Sequence, residues 1–182
     1  MRLGIDEVGV TELMGVTEHT RAMATTAAAL LLESLDAGRP LVPPLTAGDV
    51  TPEVRACLDE IAAWSTKTLG SPTTPLLWRI LAHNAHYLES TWRKELAVMS
   101  DGALSAHDKR RVALGVAMCV RGRYMIEYNA MILRHTGDDD RDLLEILGVV
   151  DHYTTLNTLS EGMQIDSDIR PLNPKPDEEI KR

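Results

Sequence analysis

The stretch from Cys119 to Gly137, CVRGRYMIEYNAMILRHTG, reads as the end of one helix, a glycine break and the start of another. A helix start presents free backbone N–H groups and the positive end of the dipole, so it attracts anions and stabilises thiolates. Cys119 lies before the break, however, and no cysteine follows it. What remains is a set of cations and polar groups. Arg121 and Arg123 flank Gly122, Arg110 lies about three turns upstream, and Tyr124, Met125, Glu127, Tyr128 and Asn129 follow. Such residues suit a site for a carboxylate or another anionic group. The competing reading is that the arginines are solvated or pair with acids, as Arg123 would with Glu127.

Side chains three or four apart share a helical face, which groups 122, 125, 126, 129 and 133. Gly122 and Met125 are therefore expected to line a pocket together with Arg110, Arg121 and Arg123 as substrate-binding residues. Tyr124, at the edge, is a candidate proton donor. Asn129 either orients a substrate carbonyl or bridges within the core. His152, among Val149, Val150 and Tyr153, is either a general acid or base or a satisfied core or interface histidine. Glu127 points to another face and reads as surface. Cys119 is a lone nucleophile or an inert buried thiol. His83, His86 and Glu89 form a row without the further ligand that a metal site needs. No metal and no cofactor is expected. His135 suits a helix C-terminus, and His19 and His107 carry no visible message. The DDD at 138–140 is cap chemistry for the helix after it.

Helices must position these groups, because the hydrophobic pattern has helical period almost throughout and no alternating strand run. The first convincing helix opens near Thr17 and stops at Gly38, before the Pro-rich linker RPLVPPLTAGD. The second is capped by Thr51 with Pro52 in its first turn, buries Val54, Cys57, Leu58 and Ile61, and stops at Gly70. The third is capped by Thr74 and buries Leu76, Leu77, Ile80 and Leu81. Asn84 either breaks this helix or sits within it. Leu88, Trp92, Leu96 and Met99 make the next stripe. Ser105 and Asp108 resemble a capping box for a nearly apolar helix that ends before Gly122. The last helix presents Leu143, Leu144, Ile146, Leu147, Val150 and Leu159, and a tail with three prolines follows Gly162. The fold class is all-α. Residues 1–49 form an N-terminal helix and linker, 50–163 the helical domain, and 164–182 an extended or disordered tail.

Length and composition set the outer limits. The 182 residues are enough for one domain with a substantial core. A net charge of −8 argues against a nucleic-acid binder. No apolar run reaches the roughly 20 residues that span a bilayer, so no membrane partner is expected. The acidic start MRLGIDEVGVTEL lacks a signal-peptide core, which makes the cytoplasm the expected compartment. Two cysteines give no disulfide framework.

The order of elements resembles the AhpD-like/carboxymuconolactone decarboxylase family over roughly residues 50–163. LWRILAHNAHYLESTWRKELAV, LSAHDKRRVALGVAM and VVDHYTTLNTLSEGM carry the likeness. The resemblance implies an AhpD-like helical bundle with an N-terminal helical extension, a pocket at the helix junction and a homo-oligomer. The family's redox branch carries a Cys-x-x-Cys followed by a His, with an upstream Glu in the proton relay. Counted back from Gly137, the cysteine positions fall on Gly122 and Met125, the His on Asn129 and the Glu on or beside Arg110. A thioether is no resolving thiol and a carboxamide moves no proton, so CxxC-dependent peroxidase chemistry is excluded within this chain. The expected function is a non-redox enzyme of lyase, isomerase or cyclase type acting on a small, partly apolar, anionic molecule. A non-catalytic oligomeric binding or scaffold protein is the alternative, and a peroxidase working through Cys119 a weaker one.

Overall fold

The structure, a computed structural model, describes residues 5–30, 32, 40–46 and 48–165. They form seven helices and no strand: α1 (Glu7–Ala29), α2 (Pro52–Leu69), α3 (Leu76–Leu81), α4 (Ala85–Met99), α5 (Ala106–Cys119), α6 (Arg123–Thr136) and α7 (Asp140–Gly162). None of the described helices is long and apolar enough to cross a membrane. The first helix ends at Ala29 with Leu30 as its C-cap, not at the expected Gly38; Gly38 itself and the tail beyond 165 lie outside the described residues.

Most boundaries have a local chemical cause. Thr51 accepts the Val54 N–H at 3.4 Å to start α2. Gly70 ends that helix at φ 66°, a left-handed backbone that favours glycine. Asn84 breaks the chain rather than sitting inside a helix, and its side chain accepts the Tyr87 N–H at 3.0 Å. Ser105 caps α5, and Asp139 with Asp142 makes a reciprocal capping box on α7. Two expected helix starts differ. Pro75, not Thr74, precedes α3, and the Thr74 hydroxyl bonds the Leu58 carbonyl instead. The first helix begins at Glu7 under an Asp6 cap, ten residues before Thr17. Its early turns are held from outside. The Glu12 carboxylate accepts the Ala103 and Leu104 N–H groups, each at 2.9 Å, and pairs with Lys109.

α5 and α6 pack side by side, with α1 against both, and α4 packs on α1 and α2 and touches α5. The extension at the chain start is thus a wall of the bundle: Val16, Met23, Ala24 and Ala27 are buried. The main core is aromatic at its centre. Trp92 meets Trp78 and Trp64 edge-on at 5.4 and 5.5 Å, while Tyr128 stacks on Trp64 at 6.2 Å. The Trp78 indole N–H and the Tyr128 hydroxyl are buried without a well-formed hydrogen bond.

α7 departs from the expected apolar face. Leu143, Ile146 and Val150 are half-buried, and Gly115 of α5 lets Ile146 and Val150 approach. Leu144, Leu147 and Leu159 are exposed, and no α7 residue is fully buried.

Candidate functional site

Four helices each contribute one side chain to a buried chain of polar contacts. On α4 the buried stripe is Leu88, Trp92, Glu95 and Met99, so a carboxylate takes a core position, and the Leu96 of the expected stripe is half-buried. Glu95 is 2 % exposed. Its Oε2 meets His19 Nε2 of α1 at 2.7 Å, and its Oε1 accepts from Arg110 Nη2 of α5 at 2.8 Å. Arg110 Nη1 donates to Asn129 Oδ1 of α6 at 3.0 Å, and Asn129 Nδ2 donates to the Met125 carbonyl at 2.7 Å. The Arg110 guanidinium also lies 5.8 Å from the centre of the Tyr128 ring.

Electrostatics follow from this chain of bonds. Burial alone would raise the Glu95 pKa. The Arg110 charge and the His19 contact outweigh it and hold the carboxyl at about 2. Tyr128 is pushed well above its ordinary value, by burial first and then by the Glu95 charge.

A second cluster lies one helical turn away. Asp138, in the α6–α7 link, is buried. It accepts from Arg111 Nε at 2.9 Å and Nη2 at 2.7 Å, and His107 Nε2 lies 2.7 Å from its Oδ1. The Arg111 hydrogen bond, opposed by partial burial and aided by His107, keeps this carboxyl below the usual range.

Both clusters open on one cleft of about 680 Å³ between α2, α4, α5 and α6. Trp64, Leu96, Met99 and Ile132 give it apolar walls, Glu95 and Arg110 its buried inner wall, and Ser105, His107 and Thr136 a polar rim. It sits where α5 begins and α6 ends. The Gly122 junction is at the opposite end of that helix pair.

The structure therefore divides the sequence-derived residues. Arg110 and Asn129 are brought together, and Arg110 reaches the cleft. Gly122 is closed against α1, because a Cβ there would lie 2.7 Å from the Ala24 Cβ. Met125 is a core residue. Tyr124 is largely buried, its hydroxyl accepts the Leu77 N–H at 3.2 Å, and burial raises its pKa. Arg121 and Arg123 are exposed, and Arg123 pairs with Glu127 at 3.3 Å. His152 stands exposed on α7 with its ring against Tyr153. Cys119 is exposed rather than buried, at the C-terminal end of α5. His83 bonds the Pro43 carbonyl at 2.8 Å.

Sequence reasoning passed over Glu95, His19, His107 and Asp138. A signal for Glu95 was available, since it shares the spacing of Leu88, Trp92 and Met99.

The described residues form an all-helical bundle. The fold is AhpD-like. The structure is similar to the alkylhydroperoxidase AhpD core from Rhodospirillum rubrum, with a TM-score of 0.62, 28% identity, and coverage of 70% of this chain and 93% of that one. No family model and no curated protein matches the chain.

Proposed function

We propose that this chain is an AhpD-like enzyme that works without thiol chemistry on a small, partly apolar molecule bound in the α2–α4–α5–α6 cleft. One observation supports the reading most: the cleft ends on the buried Glu95–Arg110 pair. Apolar walls around a few convergent polar groups are the usual make-up of a small-molecule site. The residues support proton chemistry of isomerase, lyase or cyclase type. The arginines make an anionic head group the expectation from sequence, and the pairing of Arg110 weighs against it. Glu95 already matches the Arg110 charge, so Arg110 offers N–H groups more than net charge. A carbonyl or other uncharged acceptor fits that wall better than a carboxylate.

The test is a ligand screen by thermal shift with Trp64 fluorescence as a second readout. A ligand at 100 times its Kd adds about 2.7 kcal/mol. At about 2–4 °C per kcal/mol for a chain of this size, that is roughly 5–11 °C. Ala106→Met fills the cleft mouth with a good helix former and should abolish the shift. A ligand that stabilises Ala106→Met and the wild type equally binds elsewhere and refutes the assignment.

The α7 face favours a second element of the reading, self-association. Leu144, Leu147, Val149, Leu156 and Leu159 are 43–64% exposed on one 23-residue helix, and so much apolar surface on a single element marks an interaction face. A homo-oligomer built on α7 is the proposed assembly. Leu147→Glu with Leu156→Glu should lower the mass seen by light scattering. A wild type that runs as a monomer at all concentrations removes this element and leaves the cleft untouched.

A further inference from the structure

We propose that His107, oriented by Asp138, is the proton-transfer residue of the cleft, and that the substrate class is a small neutral carbonyl compound with an acidic C–H beside the carbonyl. This rests on the cleft being the ligand site.

His107 lines the cleft and its side chain is 31% exposed, so it is neither core nor free surface. Its partner Asp138 is 3% exposed and already receives two N–H groups from Arg111. The carboxylate does not need the imidazole to be satisfied, but the imidazole gains a fixed ring plane from the carboxylate. An ionised carboxylate only accepts hydrogen bonds. The hydrogen therefore sits on His107 Nε2, and Nδ1 is the basic atom. Nδ1 lies 3.3 Å from Thr136 Oγ1, another cleft residue. The single Thr136 hydroxyl hydrogen is also claimed by the Ile132 and Leu133 carbonyls at 2.9 and 3.2 Å. Nδ1 is only weakly engaged, and a ligand can take its place.

The electrophile is on the same helix. His107 and Arg110 are three residues apart on α5 and both face the cleft. At that spacing their Cβ atoms are about 5–6 Å apart, so one small carbonyl compound can meet both. Nδ1 takes the proton from the carbon beside the carbonyl. The C–H electron pair moves into the C–C bond and onto oxygen, where an Arg110 N–H holds the enolate. The imidazolium then returns the proton to the same carbon or to the conjugated one. The net change is exchange or isomerisation, and no electron donor or acceptor is consumed. The imidazolium that forms with the enolate balances its single negative charge, whereas a ligand already anionic would add another beside Glu95, which is why the class is neutral.

The probe is cyclohex-3-en-1-one in D2O, with proton NMR following deuterium entry at carbon and formation of the conjugated enone. The wild type should exceed the protein-free rate. His107→Gln keeps an N–H for Asp138 and loses the base, and should forfeit about 10²–10⁴ of the protein-dependent rate with an unchanged Tm. Asp138 is a positioning residue. In Asp138→Asn the ring ¹⁵N shifts should lose the fixed Nε2–H tautomer while the probe still binds. An active wild type with an equally active His107→Gln overturns the assignment of His107. Probe binding that Ala106→Met abolishes, with no exchange above buffer, overturns proton transfer and leaves the binding reading standing. If small carbonyl compounds and all other screened ligands fail to bind, the cleft reading falls and takes this inference with it.

Discussion

Replacing Glu95 by Gln tests whether the four-helix charge chain is what holds the interior together. The Glu95 carboxyl has a pKa of about 2 in the fold against an ordinary value of 4.5. At 1.36 kcal/mol per pH unit that gap is worth about 3 kcal/mol. The folded pKa is depressed, so the contribution is fully present above pH 4.5. It is lost as pH falls toward 2, where the unfolded chain takes up a proton that the folded one refuses. Gln has nearly the same shape but carries no charge. At pH 7 it leaves the Arg110 guanidinium buried without its counter-charge, a change that costs about 3–5 kcal/mol. For a chain of this length that means a Tm lower by roughly 6–20 °C. Urea unfolding at pH 7 and thermal scans from pH 2 to 8 read both effects. The variant should be less stable at neutral pH and should lack the part of the acid loss that belongs to Glu95. Adding Arg110→Met should recover part of the deficit, since both partners of the pair are then gone. If Glu95→Gln lies within 1 kcal/mol of the wild type and both lose stability alike below pH 4.5, the reasoning about this network is wrong.

Gly122→Ala places a methyl 2.7 Å from the Ala24 Cβ, and should cost about 1–3 kcal/mol in urea unfolding through overpacking of α1 against the start of α6. Iodoacetamide on the native protein should label Cys119 alone, because Cys57 is buried and its thiol is pushed up by burial and by Glu60. Peptide mass spectrometry checks this, and Cys57 alkylation at a rate equal to that of Cys119 would contradict the packing.

The parts of the fold that were legible in sequence are those with local causes. Thr51, Pro52 and Gly70 bracket α2, and Asp139 opens α7, because caps act over three or four residues. The start of α1 was hidden for the converse reason. Gly9 and Gly15 weaken its early turns, and the contacts that hold them, Glu12 to Ala103 and Leu104, reach 91 and 92 residues along the chain. The candidate site divides in the same way. Arg110 and Asn129 are legible as candidates in sequence, and they touch. His19 meets Glu95 across 76 residues, and His107 meets Asp138 across 31. No periodicity announces such partners. The helix break at Gly122 is visible in sequence, and a gap between four packed helices is not.

The wall that α1 forms limits how far the protein can be cut back. This segment supplies the imidazole on the second oxygen of Glu95, the methyl group of Ala24 that seals the start of α6, and the carboxylate that pins the turn before α5. A clone begun at the linker would expose a trench with the Oε2 of Glu95 stripped of its partner. Protease cleavage in that linker should be harmless for as long as the severed helix stays docked, and ruinous once it is washed away.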